Sequence, residues 1–462
     1  MGKGQSDWRG RGYALFSHHT EDGLEMKILS LIAAKAKTNR KEKFTSLAHL
    51  LNAEMLTDCF RTLNPKKAIG VDGTTVEAYA QNLNSNVTNL VTQMKSKEWR
   101  PQPVRRVYIP KPGKKEMRPL GIPSTEDKMI QEGVKRILES IYEQDFLPCS
   151  HGFRPGLGCH TALKSLDQCL MKKPVNFVVE VDIKGFFDNV AHDWMIRCLE
   201  ERISDPNFIW VIRQFLKAGI MESGSVTASE QGTPQGGIVS PLLANIYLHF
   251  ILDLWFERKF KKESQNYMEI VRYCDDFVVC FESRKDAEKF LVELKERLAK
   301  FKLEVASDKT RLLEFGKRCW KRNKAKGTKG ESFSFLGFTH FMATSRNGFY
   351  APGIKTSKES LKRKLRDMKE WLKRVRSSST LTEWRPILNS KLIGHFNYFG
   401  ISGNMRSMLK FKNQVCRMLF KWLNRRSQKK SFTWAKFSDY LQRNPLPEPS
   451  IRHHLFVLKA NP

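Results

Sequence analysis

Two segments of this 462-residue chain place carboxylates where they could gather a metal ion. In Val271-Arg272-Tyr273-Cys274-Asp275-Asp276-Phe277-Val278-Val279-Cys280-Phe281, two apolar runs rich in β-branched and aromatic residues flank a short acidic turn. That is the pattern of a β-hairpin with two carboxylates at its tip. Asp-Asp in a turn is common by itself, because Asp tolerates turn geometry. A second apolar strand, Phe177-Val178-Val179-Glu180-Val181, ends in Asp182 and leads through Ile183-Lys184-Gly185-Phe186 to the bulky Phe187. If it pairs beside the acidic hairpin, Asp182 and Asp275 can bind two magnesium ions between them, since Mg2+ takes oxygen ligands and keeps waters and substrate phosphates. One ion would activate an attacking 3′-hydroxyl and the other would stabilise the leaving pyrophosphate.

Positioning such residues takes several elements, and the chain is long enough for two or three domains, because single cores stop growing near roughly 250 residues. Residues 1–100 carry helical patterns interrupted by a loop at Gly70 and Asp72-Gly73, 101–340 alternate strand-like and helix-like segments, and 341–462 become basic and, from 355, helical. The stretch Ile238 to Phe256 is apolar enough to be mistaken for a membrane span. Asn245, His249 and Asp253 recur every fourth residue along it, however, and Ser240-Pro241 reads as an N-cap and first helical residue, so a buried soluble helix is predicted.

Charge identifies the partner class. With 80 Lys and Arg against 48 Asp and Glu, the net charge of +32 calls for a polyanion, and nucleic acid fits best because each phosphate contact releases counterions. From residue 355 onward there are 25 Lys and Arg against 6 Asp and Glu, so this region is where RNA backbone contact is expected. Its clearest helix is Ser357 to Ser377, with Leu361, Leu365, Met368, Leu372 and Val375 on an apolar stripe and Lys362, Lys369 and Lys373 elsewhere on the turn. The cationic run Lys317 to Lys329 reads instead as a solvated loop. Nine scattered cysteines without a Cys-x-x-Cys pair point to neither disulfides nor zinc, and the polar Met1 to Gly12 lacks a signal-peptide core. An intracellular protein is expected, bacterial-type cytoplasmic and nucleoid-associated, with an organelle left open and no membrane partner.

Taken together, these segments resemble the palm of reverse transcriptases, with motif A at Asp182 and motif C at Tyr273 to Asp276. The resemblance implies an α+β right-hand fold: fingers and palm with a central antiparallel sheet, and a helical thumb. It adds Ile183 to the metal ligands Asp182, Asp275 and Asp276. Ile109-Pro110-Lys111-Pro112-Gly113 and Arg118-Pro119-Leu120-Gly121 look like the fingers block, whose Lys111 and Arg118 would grip the incoming triphosphate. Gln231-Gly232-Thr233-Pro234-Gln235-Gly236-Gly237 looks like motif B, with glycines that let the backbone approach the template–nucleotide pair and Gln235 lining that pocket. His151-Gly152-Phe153-Arg154-Pro155 resembles a further block, with Arg154 as a template or nucleotide contact. Lys309 matches motif D, where a lysine protonates the leaving group. Phe335-Leu336-Gly337-Phe338 looks like the primer grip, and Phe187 would sit under the sugar and reject a 2′-hydroxyl.

The likeness is closest to group II intron reverse transcriptase/maturases. Phe44-Thr45-Ser46-Leu47 and Ala68-Ile69-Gly70-Val71-Asp72-Gly73 resemble that family's N-terminal extension, and Gly394-His395-Phe396-Asn397-Tyr398-Phe399-Gly400 its maturase or thumb region. This implies RNA-directed DNA synthesis with two Mg2+ ions, intron splicing and retrohoming. RNA template, intron RNA, a DNA primer or target and deoxynucleoside triphosphates would be the partners. Two departures stand out: Cys274 occupies the place of the usual alanine, and a Cys- or His-rich endonuclease module after Pro462, with the second-strand DNA cleavage it would bring, is not expected. Three other functions remain open at this point: a maturase that only folds and splices RNA, a free-standing relative used in host DNA repair or phage defence, and a viral RNA-dependent RNA polymerase.

Overall fold

Val178, Val278 and Cys280 leave the central sheet on one face, while Val179, Val181, Phe277, Val279 and Phe281 leave it on the other, and all are buried. The period of two that marked these runs as strands therefore feeds two cores rather than one core and solvent. The computed structural model describes residues 22–110, 117–222, 225–227, 232, 236–378, 380–425 and 432–455.

Strands β1 (Val104–Pro110), β2 (Met117–Ile122), β3 (Phe177–Asp182), β4 (Ile220–Glu222) and β5 (Ser225–Thr227) precede the hairpin of β6 (Met268–Tyr273) and β7 (Asp276–Phe281). After it come β8 (Arg311–Glu314), β9 (Ser332–Phe335), β10 (Phe338–Thr344) and β11 (Tyr350–Thr356). The palm sheet has the order β6-β7-β3-β8 and is antiparallel throughout, as expected. A fingers sheet, β2-β1-β4-β5, and a three-stranded sheet, β11-β10-β9, complete the β structure among the described residues.

On the face of Val179, Val181 and Phe277, the palm shares its core with helix Thr125–Tyr142 and with the N-terminal region through Leu47, Leu51, Met55 and Leu56. Asp205 stitches the two regions together. Its carboxylate accepts the N–H groups of Leu47 (2.6 Å) and Ala48 (2.8 Å) and caps helix Pro206–Lys217 through Asn207 and Phe208. Those main-chain donors hold its pKa below the usual carboxylate value despite burial. The N-terminal extension is thus packed onto the palm rather than set apart from it.

The second core joins the other palm face to the C-terminal helices Lys358–Ser378, Leu381–Phe399, Met405–Leu423 and Trp434–Arg443. In the first of these Met368, Leu372 and Val375 are buried and Lys362, Lys369 and Lys373 exposed, the amphipathic division read from the sequence. β10 runs across residue 340 to Thr344, so a domain boundary there would cut a strand. Residues 317–329 depart from the expected loop. Lys317–Lys326 is a helix, pinned by buried Cys319 and ended by Gly327 in the left-handed conformation.

The apolar stretch after Val239 is a buried helix with one refinement. Ser240 is its first residue rather than its cap, and the α-helix Ser240–Leu248 opens into a π-helical turn, His249–Asp253, before resuming at Leu254–Arg258. No helix among the described residues is long and apolar enough to cross a membrane.

Candidate active site

β6 and β7 are joined by a two-residue turn, Cys274-Asp275, since Tyr273 pairs with Asp276. Cys274 has φ +59°, the left-handed value that such hairpin turns demand. Its side chain is buried against Gly152, where an added Cβ would lie 2.3 Å from the Cys274 Sγ and 2.7 Å from its N. The loop carrying Gly152 therefore presses on the turn with no room for a side chain. Burial pushes the Cys274 thiol well up, so it is a small neutral filler and not a reactive thiolate.

The strand carrying Asp182 does pair beside this hairpin, with Asp182 opposite Asp276. Opposed antiparallel residues have Cα atoms about 4.5–5.5 Å apart. Asp275 stands one residue further, at the tip. Asp276 is pushed up to about 7, first by burial and then by the charges of Asp275, Asp182 and Glu180. Burial and the Asp182 charge also raise Asp275, while the charges of Arg118 and Arg272 pull it down. Arg118, exposed on β2, is thus within electrostatic reach of the acidic turn. Lys309 Nζ forms an ion pair with Asp182. Its loop is tied to the same strand end, as Ala306 N–H donates to the Asp182 carbonyl at 2.8 Å.

Ile183 has a buried side chain, so only its carbonyl can serve a metal. It forms an isolated bridge with Val305 in which Lys184 N–H donates to Glu304 O and Ala306 N–H to Asp182 O. In that arrangement the backbone groups of Ile183 itself face away from Val305. Among the described residues no three His, Cys, Asp or Glu side chains are gathered closely enough to hold an ion by themselves, since Asp182 leans toward Lys309 and Asp276 faces the Leu336 main chain. The donor chemistry nonetheless fits a hard divalent cation: oxygens only, with clustered charge that Lys309 offsets at Asp182 alone.

Phe187 is half-buried in the 3-10 turn Phe186–Asp188 and edge-on to Phe186 at 5.3 Å. Gly232, with φ +90°, lies over it: a Cβ there would meet the Asp188 carbonyl at 2.9 Å and that of Phe187 at 3.0 Å. Gly232 N–H also donates to Val190 O, and His192 Nε2 lies 2.7 Å from Gly232 O. Gly236 approaches Gly121 O of β2 in the same way. These two glycines make room for neighbouring protein backbone. Lys111 and Gln235 lie outside the described residues.

Two assignments change. Arg154 is not turned toward the cleft: Nε and Nη2 pair with Glu143, Nη1 donates to the carbonyls of Leu147 (3.1 Å) and Ser150 (2.9 Å), and the guanidinium lies over Phe146. With its donors spent inside the protein it fixes the Gly152 loop rather than a nucleotide. Phe335 is 1% exposed in the second core, so any contact with a primer falls to the turn Leu336-Gly337. Both turn residues have positive φ, +50° and +80°, as a type I′ hairpin needs. Tyr398 of helix Leu381–Phe399 donates its phenol to Leu336 O at 2.9 Å, tying this turn to the thumb.

Arg272, Asn245 and Asp253 had no functional reading in the sequence, yet all three are fully buried beneath the acidic turn. A polar residue every fourth position in an otherwise apolar helix was the signal.

Residues 109–340 match the family model described as reverse transcriptase (RNA-dependent DNA polymerase), and residues 360–440 that of the group II intron maturase-specific domain. The chain is 42% identical over 244 residues to the group II intron-encoded protein LtrA of Lactococcus lactis subsp. cremoris, covering 52% of this chain and 40% of that one. It is 31% identical over 315 residues to Protein YkfC of Escherichia coli, covering 61% and 82% respectively. A 91 kDa protein in the cob intron of Schizosaccharomyces pombe is 39% identical over 202 residues, covering 43% and 24%. The match thus spans less than half of the lactococcal relative.

Proposed function

The chain belongs to the reverse transcriptase family, in its group II intron branch, and on that premise we propose that it is an RNA-directed DNA polymerase that also binds intron RNA, promoting splicing and retrohoming. The observation that supports this most directly is the convergence of the ends of β3 and β7, which brings Asp182, Asp275 and Asp276 to one edge of the palm sheet. A factor that only folds RNA has no physical use for three mutually repelling carboxylates.

Reverse transcriptases depend on divalent metal, and Asp182, Asp275, Asp276 and the Ile183 carbonyl are the groups that would hold it here. We assign two Mg2+ ions, which when bound activate the primer 3′-hydroxyl and neutralise the departing pyrophosphate. The chain's own residues do the rest. Arg118, with Lys111, holds the triphosphate, Phe187 forms a floor for a sugar without a 2′-hydroxyl, and Gln235 lines the base pocket. Lys309, already at the metal-binding strand end, supplies the proton taken by the leaving group. The turn Leu336-Gly337 steadies the primer, and Lys362, Lys369 and Lys373 contact RNA backbone. Residues 1–100 act as the extension that holds template RNA, 101–340 as fingers and palm, and 341–462 as thumb and maturase region, with β10 carried across that last boundary. We place its action in a bacterial-type cytoplasm, on RNA template and intron RNA, a DNA primer or target and deoxynucleoside triphosphates.

Primer extension on an RNA template, with deoxynucleotides and Mg2+, tests the reading beside the Asp275→Ala, Asp276→Ala double variant. DNA made by the parent and not by the variant, with equal RNA binding, is expected. No product from the parent while RNA binding persists would leave splicing as the function and remove the polymerase.

A further inference from the structure

The acidic turn rests on a buried polar clamp whose centre is Arg272. The side chain is 0% exposed, as are Asp253 and Asn245. All five of its N–H donors are used. Nε donates to Asp253 Oδ1 (2.8 Å), one Nη2 donor to Asp253 Oδ2 (2.5 Å) and the other to Ser150 Oγ (2.8 Å). Nη1 donates to Asn245 Oδ1 (3.0 Å) and to the carbonyl of Cys274 (3.0 Å). Asn245 in turn donates through Nδ2 to Gly152 O at 2.6 Å, and Gly152 is the residue pressed against Cys274.

The Cys274 carbonyl belongs to the peptide whose N–H is that of Asp275. Fixing that peptide plane limits where the Asp275 carboxylate can point, on a turn whose first residue is already held at a left-handed φ. The helix is shaped for the purpose. Four residues of α-helix overshoot one turn, so Asn245 and Asp253, eight apart, would drift off a common line; the wider π turn at His249–Asp253 falls short of a turn and offsets the drift. Both therefore reach the same guanidinium.

We propose that Arg272 is a positioning residue for nucleotidyl transfer: held by Asp253 and Asn245, it sets the Cys274–Asp275 peptide and so the aim of Asp275. This inference rests on the polymerase reading above. The guanidinium touches no reacting atom; it acts through the turn. A fork of five donors is required, because an ammonium has three donors on one atom and cannot span Asp253, Asn245, Ser150 and Cys274 together.

The test uses the full chain in two variants. Arg272→Lys keeps the charge beside Asp253 and loses the fork. Asn245→Ala leaves the Arg272–Asp253 pair whole and releases Gly152 O and Nη1. For each, kcat and KM for one deoxynucleotide, the Mg2+ concentration for half-maximal rate, template–primer affinity and Tm are measured. We expect kcat to fall by about a hundredfold in Arg272→Lys, as for misplacement of a reacting group, and about tenfold in Asn245→Ala. The Mg2+ requirement should rise in both, while nucleotide KM and template–primer affinity stay within about twofold, since the groups binding those ligands lie elsewhere. If Arg272→Lys does not fold, Asn245→Ala decides alone. A folded Asn245→Ala protein with parental kcat and Mg2+ requirement overturns the proposal, as does a loss of kcat no larger than the loss of folded protein. A parent that makes no DNA at all would overturn the reading on which it rests, a result distinguishable from either.

Discussion

Asp182 and Asp276 face one another across the β3–β7 ladder, at the end of the sheet where the Cys274-Asp275 turn begins. Two carboxylates in register on adjacent strands repel, and with Asp275 beside them the palm concentrates negative charge that Lys309 offsets only at Asp182 and that a bound cation would relieve further.

That repulsion has a pH signature. Asp276 titrates at about 7 in the folded chain, against an ordinary 3.8. Between these values the folded state keeps a proton that the unfolded state has lost, so stability falls as pH rises through the window. Asp276→Asn cannot ionise and escapes this penalty. In chelator, it should be more stable than the parent by roughly 2–4 kcal/mol at pH 7.5 and no different near pH 4. Thermal melts at the two pH values measure this; equal stability at both would show that the carboxylates do not strain the metal-free fold.

Gly232 cannot carry a side chain. Its φ of +90° and the two carbonyls within 3.0 Å of a Cβ make Gly232→Ala costly twice over. A loss of about 1–3 kcal/mol in stability and a fall in kcat/KM of about tenfold or more are expected, because the same loop buttresses Phe187 and Asp188. Denaturant unfolding alongside primer extension separates the two effects.

Phe187 is half-buried, and its ring leans on Phe186. Phe187→Ala should relax sugar discrimination, raising the ribonucleotide share of kcat/KM by about tenfold to a hundredfold with duplex affinity unchanged. Single-nucleotide incorporation of matched ribo- and deoxynucleotides gives the ratio. An unaltered ratio would move sugar selection to another residue.

The Tyr398 hydroxyl couples thumb and palm by donating to Leu336 O, beside a separate contact of its carbonyl with His160 Nε2 at 2.9 Å. Tyr398→Phe keeps the ring stacked on Phe338, 5.9 Å away, and deletes only the donor. The expected stability cost is about 0.5–1.5 kcal/mol, with KM for the primer terminus up severalfold and KM for the nucleotide unchanged.

Lys362, Lys369 and Lys373 are exposed on helix Lys358–Ser378. Replacing all three by Ala should weaken RNA binding without sequence preference and lower the slope of log affinity against log salt by about two to three. A titration at four salt concentrations would show it, and an unchanged slope would place the RNA on another face.

Strand and helix periodicity determined a good deal of this protein by itself. The runs before Asp182 and on either side of Asp275-Asp276 read as strands, the latter two joined by an acidic turn, the +32 charge pointed to a polyanion, and the stripe from Leu361 to Val375 to a helix buried on one side. These are local matters, decided within one element by side-chain spacing and charge. What only the tertiary structure decided is which partner each polar group found. Arg154 read as a ligand contact and is instead committed to Glu143 and two carbonyls, while Arg272 read as a strand residue and holds the acidic turn. Gly232 read as room for substrate, and the packing adds that it makes room for the backbone of residues 187 and 188. Lys317 to Lys326, read as part of a solvated loop, folds as a helix with Cys319 buried and Trp320 edge-on to Tyr350. Gly232, Trp320 and Arg272, through Asn245 and Ser150, find partners far away in the chain, whereas Arg154 is claimed by Glu143, Leu147 and Ser150 a few residues before it. Burying a donor obliges it to find an acceptor, and which acceptor is near depends on how the elements pack.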